Sequence, residues 1–93
     1  MSVTVVLPSQ LRELAPGHAS VFLGGGIGTV GEALEQLRLR HPAVFDRIVT
    51  ERGEIRPHVN VFVGKESIRW SGGLDTPVED GAELVILPAV SGG

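Results

Sequence analysis

A chain of 93 residues, 42% of them apolar, has material for one hydrophobic core and none for a substrate domain beside a cofactor domain. Eight Lys and Arg against eleven Asp and Glu give a formal charge of −3, with no basic run or interleaved aromatics of the kind that binds nucleic acid. The absence of Cys excludes disulfides, thiolate nucleophiles and Cys-ligated metals. No apolar run approaches the roughly 20 residues of a membrane helix. The first residues enter an alternating pattern at once, without the basic start and apolar block of a secretory signal, so a cytoplasmic location is expected.

Residues 2–7 alternate and are rich in Val, which predicts a half-buried strand stopped by Pro8. A polar stretch through Pro16-Gly17 leads to a second short strand over 18–23, and the two suggest an opening hairpin. Gly24 to Gly28 breaks this strand. Thr29-Val30-Gly31-Glu32 then has the spacing of a capping box, predicting a helix from Val30 to about Arg40, before Pro42. Val30, Ala33, Leu34 and Leu37 fall on one face of it and the charged residues on the other, so the helix should lie apolar side down on a sheet.

Residues 43–56 mix apolar and charged positions and are read as a short helical turn followed by a loop. Val59, Val61 and Val63 alternate with His58, Asn60 and Phe62 in the clearest strand of the chain, and Gly64-Lys65 turns it into residues 66–69. Asp80-Gly81 marks a further turn into a last strand over 83–87, closed by Pro88. The expected order is strand, strand, helix, strand, strand, strand. One helix covers one face of such a sheet. Phe62, with either Val85 and Leu87 or Leu84 and Ile86, should therefore form an apolar patch on the open face, where partners dock.

Side-chain chemistry offers little. The glycine loop before the helix sits where phosphate loops sit, but no Lys-Ser or Lys-Thr follows, Thr29 stands where the last Gly of G-x-G-x-x-G belongs, and no βαβ repeat is present. His18, His41 and His58 are widely spaced and form no metal or triad pattern. Trp70 is expected to be a packed anchor, and Ser71-Gly72-Gly73 a loop before the last strand. Asp75, Glu79 and Asp80 form no couple for general acid–base work. What remains is the chain end, Ser91-Gly92-Gly93. A carboxylate that must be threaded into another enzyme's site needs a slim tail with wide φ/ψ freedom, which Gly-Gly supplies.

The Val3-Thr4-Val5 strand, the strand from His58 to Val63, Ser71-Gly72-Gly73-Leu74, Asp80-Gly81, and Leu87-Pro88 running to a terminal Gly-Gly together resemble the ThiS/MoaD sulfur-carrier family, most closely its CysO-type carriers. The resemblance spans nearly the whole chain. It implies an α+β, ubiquitin-like β-grasp fold, with a mixed sheet of four to five strands crossed by one main helix. Residues 1–88 would form the domain and 89–93 a flexible tail. It further implies a protein co-substrate and not an enzyme. A ubiquitin-activating-type enzyme, using ATP and Mg²⁺, would adenylate the Gly93 carboxylate, and a sulfur donor would convert it to a thiocarboxylate for a sulfur-accepting biosynthetic enzyme. In that scheme Ser91 and Gly92 thread into the partner, Phe62 and Leu87 dock it, and the chain itself binds no cofactor or metal. Two other roles use the same tail: the small subunit of a molybdopterin-synthase-like complex, and a ubiquitin-like protein modifier.

Overall fold

The computed structural model describes residues 2–15 and 19–88. Strand β1 (Val3–Val6) is followed by a one-turn helix α1 (Ser9–Arg12), strand β2 (Ser20–Leu23), helix α2 (Val30–Arg40) and helix α3 (Pro42–Ile48). Strands β3 (Val59–Val63), β4 (Glu66–Ser67) and β5 (Ala82–Pro88) complete the chain, with two 3-10 turns at Ile68–Trp70 and Gly73–Asp75 between the last two. The sheet order is β2-β1-β5-β3-β4. Only β1 and β5 run parallel; the other neighbours are antiparallel. A five-stranded mixed sheet with the first and last strands side by side and a helix packed across it is the β-grasp arrangement.

The expected hairpin is β1–β2, with Val3 opposite Leu23 and Val6 opposite Ser20. Helix α2 has the expected bounds, and both halves of its capping box form. Glu32 N donates to Thr29 Oγ1 at 3.2 Å, while the Glu32 carboxylate accepts from Thr29 N at 3.1 Å. Val30, Ala33, Leu34 and Leu37 are all buried, so the periodic stripe faces the sheet. They join Val3, Val5, Leu23, Val61, Leu84 and Ile86 in one core.

Four local expectations need correction. The short helical turn expected in residues 43–56 is a seven-residue helix, α3, that begins one residue earlier at Pro42 and buries Val44 and Ile48. Proline fits there because its fixed φ suits a helix start and its missing N–H has no intrahelical partner to lose. The polar stretch after Pro8 contains α1. Trp70 is no anchor: it is 84% exposed, whereas Ile68, two residues earlier in the same 3-10 turn, is 3% exposed and takes the buried place. That turn also ends β4 after two residues, sooner than alternation suggested.

Register decides which alternate residues meet solvent. Val59, Val61, Leu84 and Ile86 are buried, so the other parity of β3 and β5 faces away from the helices. The turn before β5 is fixed by Gly81, at φ +84°, a region that side chains other than Gly rarely adopt. Gly81 N donates to Ser2 O at 2.7 Å and so sets the start of the parallel β1–β5 pairing.

Candidate functional site

The site has two parts, the open face of the sheet and the end of β5. On the face, Phe62 of β3 stands opposite Val85 of β5 and opposite Ser67 of β4, and Val85 stands opposite Val6 of β1. Phe62, Val85 and Val6 are half-buried. Leu87, opposite Asn60, is 43% exposed. As a diagonal neighbour across one strand pair, it lies about 7–8 Å from Phe62 in backbone terms, within reach of an aromatic ring. The two residues expected to dock a partner therefore share one face.

Sequence reading missed Val6 and Phe22. Phe22 is 63% exposed on the edge strand, opposite Thr4. Its outward aromatic ring was signalled by the alternation of β2, in which Val21 and Leu23 are buried. For Val6 the signal was its parity against Val3 and Val5.

The second part is positional. Pro88 ends β5 opposite Val59, so the strand that precedes the tail lies between β1 and β3. Ser91, Gly92 and Gly93 lie outside the described residues. Their point of departure is nevertheless fixed: the end of an interior strand, next to exposed Leu87.

The remaining candidates are engaged in holding the fold. At the start of α2, the amides of Gly28 and Thr29 both donate to the Glu32 carboxylate, at 2.7 and 3.1 Å. Val30 N donates to Thr76 O at 2.9 Å. Amides that would cradle a phosphate are thus occupied, and a carboxylate already sits at the positive end of the helix.

The Ser71-Gly72-Gly73 segment supports this same junction. Thr76, buried despite its hydroxyl, donates through Oγ1 to Gly73 O at 2.7 Å and lies 3.3 Å from Ser71 Oγ. The internal Ser-Gly-Gly therefore shapes a turn that Val30 anchors.

Among the described residues no group of His, Asp or Glu is placed to hold a metal ion. Asp80 is held below the usual carboxylate range by hydrogen bonds from the backbone N–H and then the hydroxyl of Ser2. Glu35 is lowered by its hydrogen bond from Arg38. Both are surface contacts remote from any couple that could move a proton for a substrate. No helix among the described residues is long and apolar enough to cross a membrane.

Fold and site together define a ubiquitin-like β-grasp domain whose last described strand, β5, is interior to the sheet and ends beside an open apolar face. The chain belongs to the ThiS family, whose model matches residues 5–93. It is 37% identical over 95 residues to the sulfur carrier protein CysO of Mycobacterium tuberculosis strain H37Rv, with 100% of both chains covered. It is 38% identical over 85 residues to small archaeal modifier protein 1 of Haloferax volcanii, covering 91% of this chain and 93% of the relative. Among solved structures, a chain of the Amycolatopsis orientalis BexX/CysO complex superposes with a TM-score of 0.85 and 42% identity, covering 98% of this chain and 99% of that one.

Proposed function

We propose that this chain is a CysO-type sulfur carrier whose working group is the carboxylate of Gly93. The observation that carries the reading is the placement of the strand leading to Gly-Gly: it is held between β1 and β3 and ends beside the open face that bears Leu87, Val85 and Phe62. Full-length similarity to sulfur carrier proteins supports it.

The chemistry follows from the weakness of a carboxylate as an electrophile. A ubiquitin-activating-type partner, using ATP and Mg²⁺, transfers AMP to a Gly93 carboxylate oxygen and releases pyrophosphate. A sulfur donor at the oxidation level of sulfide then attacks the acyl carbon and AMP departs, leaving a thiocarboxylate. That sulfur is the nucleophile delivered to an acceptor enzyme, for cysteine or another sulfur-containing metabolite. The chain contributes no catalytic side chain and binds no cofactor of its own. Ser91 and Gly92 thread into each partner, and Phe62 and Leu87 dock it.

Intact-protein mass spectrometry on material from native cells tests this. The expected result is a species heavier by one sulfur-for-oxygen exchange, reactive towards a thiol-directed alkylating reagent and absent when Gly93 is deleted. Only unmodified protein, even after supply of activating enzyme, ATP and sulfide, would sink the reading. The likeness to small archaeal modifier protein 1 favours a second use of the same activated end, transfer to lysine amines. Lysine-linked conjugates that vanish on deletion of Gly93 would establish it.

A further inference from the structure

A groove of about 270 Å³ opens at the point where the tail departs, on the helix side of the sheet. Its apolar lining includes Leu11, Leu14, Val59, Ile86, Leu87 and Pro88. Arg47 of α3 and His58 stand on the rim; His58 immediately precedes Val59, which pairs with Pro88. Gln10 and Glu13 also line the groove. Arg47 and His58 also border a neighbouring hollow with Arg56 and Asp46. Arg56 is tied down, its Nε donating to Asp46 O at 2.7 Å. Arg47 is exposed and, among the described residues, has no hydrogen-bond or ion-pair partner.

The length of chain beyond Pro88 says what covers this groove. Five residues, 89–93, span at most about 18 Å even when fully extended. A partner that encloses the Gly93 carboxylate must bring its own surface up to the tail root, because so short a tether cannot reach a buried site from farther off. The groove and the open apolar face meet at the tail root: Leu87 and Pro88 both line the groove, and Leu87 is also an exposed residue of the open face.

We propose that the groove is a docking surface for the enzyme that activates Gly93, which seats an apolar side chain on Leu11, Val59 and Ile86 and sets a carboxylate against Arg47. The inference rests on the sulfur-carrier reading above. Arg47 of α3 and Glu13, just after α1, bring opposite charges to the groove lining, so the polarity of the groove fixes which way round the partner lies. Together with the open face, it makes the partner grip both sides of the strand end, which holds the five-residue tail on line with the adenylation site.

The test is ATP–pyrophosphate exchange by the purified activating enzyme, with the full chain as co-substrate. The variants are Arg47→Glu, Arg47→Lys and Lys65→Glu. Lys65 undergoes the same charge change but lies beyond Val63, at the end of β3 remote from Pro88. Arg47→Glu is expected to raise the KM for the chain roughly tenfold with kcat unchanged, an effect that shrinks with added salt. Arg47→Lys should keep most of the affinity, and Lys65→Glu should stay within about twofold of the parent on the same electrostatic argument. A KM for Arg47→Glu no higher than that for Lys65→Glu would overturn the groove as a docking surface while leaving adenylation of Gly93 intact. No exchange with the unaltered chain would overturn the carrier reading, and this proposal with it.

Discussion

Phe62 faces Val85 directly across the β3–β5 ladder, and Val85 faces Val6 across β1, so an apolar row crosses three strands on the side of the sheet away from α2. Phe62→Asp breaks this row. Because Phe62 is only half-buried, the cost to folding should be about 1–2 kcal/mol, while affinity for the activating enzyme should fall by more than tenfold, or about 1.4 kcal/mol. Denaturant melts and binding titrations on the same protein check this. A stability loss larger than the binding loss would mean that the ring is structural.

Deletion of Gly93 should abolish thiocarboxylate formation and leave the melting temperature unchanged, since among the described residues the core lies entirely before Pro88. Adding one residue after Gly93 should have the same effect. Calorimetry together with intact mass measures both; a lowered melting temperature would show that the end is part of the fold.

Gly31→Ala sets two effects against each other. An exposed helical Gly gains roughly 1 kcal/mol on replacement by Ala, but here the new Cβ would stand 3.1 Å from the backbone oxygen of Leu74. Leu74 cannot retreat freely, because the turn around it is pinned by Thr76, which binds Val30 N, Gly73 O and Ser71 Oγ. The clash should win, with a net loss of about 1 kcal/mol. Equilibrium unfolding in urea decides the sign.

Thr29→Ala removes the oxygen that accepts from Glu32 N and should cost about 1 kcal/mol. Glu32→Ala should cost at least as much, since its carboxylate serves the amides of both Gly28 and Thr29. The double variant should lose less than the sum, because each side chain accepts from the other residue's backbone N–H and so holds the geometry the other bond needs. A double-mutant cycle measures that difference.

Asp80 gives a pH signature. Its folded-state pKa is depressed by the Ser2 N–H and hydroxyl, so its contribution is fully present above the unfolded carboxylate pKa. It is lost as pH falls through the lower folded value. Asp80→Asn should therefore melt below the parent at neutral pH, and the gap should close on acidification below about pH 4, the ordinary carboxylate range. Melting curves across that range test it; a constant gap would assign the effect to something other than the carboxylate's charge.

Local chemistry was legible where a few neighbouring residues determine the outcome. Thr29 and Glu32 announced the start of α2, and Asp80-Gly81 announced the turn that Gly81 makes at φ +84°. Where pairing across the sheet decides, the sequence was silent. Both Leu84/Ile86 and Val85/Leu87 are apolar pairs, and only the register Val5 opposite Leu84 and Val61 opposite Ile86 commits the first pair to the core. Trp70 misled because size argues for burial, whereas the 3-10 turn gives the buried place to Ile68. Helix α3 had a signal that was undervalued: Pro42 at a helix start, followed by Val44 and Ile48 four residues apart. The groove at the tail root could not be read from the sequence, because Leu11, Arg47, His58 and Pro88 come together only through the fold.

Strand β5 is the last element of the described chain, yet it lies between β1 and β3. Until it inserts, the sheet is two separate hairpins, β1–β2 and β3–β4, with no shared hydrogen bonds. On the proposed reading, the strand that leads to the working carboxylate is thus also the keystone that joins them. A chain damaged or incompletely folded in either half has no slot for β5 and cannot hold Leu87 and Pro88 in place beside β3. An enzyme that recognises the open face together with the terminus would activate only molecules whose folding is finished, and the topology would act as a built-in inspection step before ATP is spent.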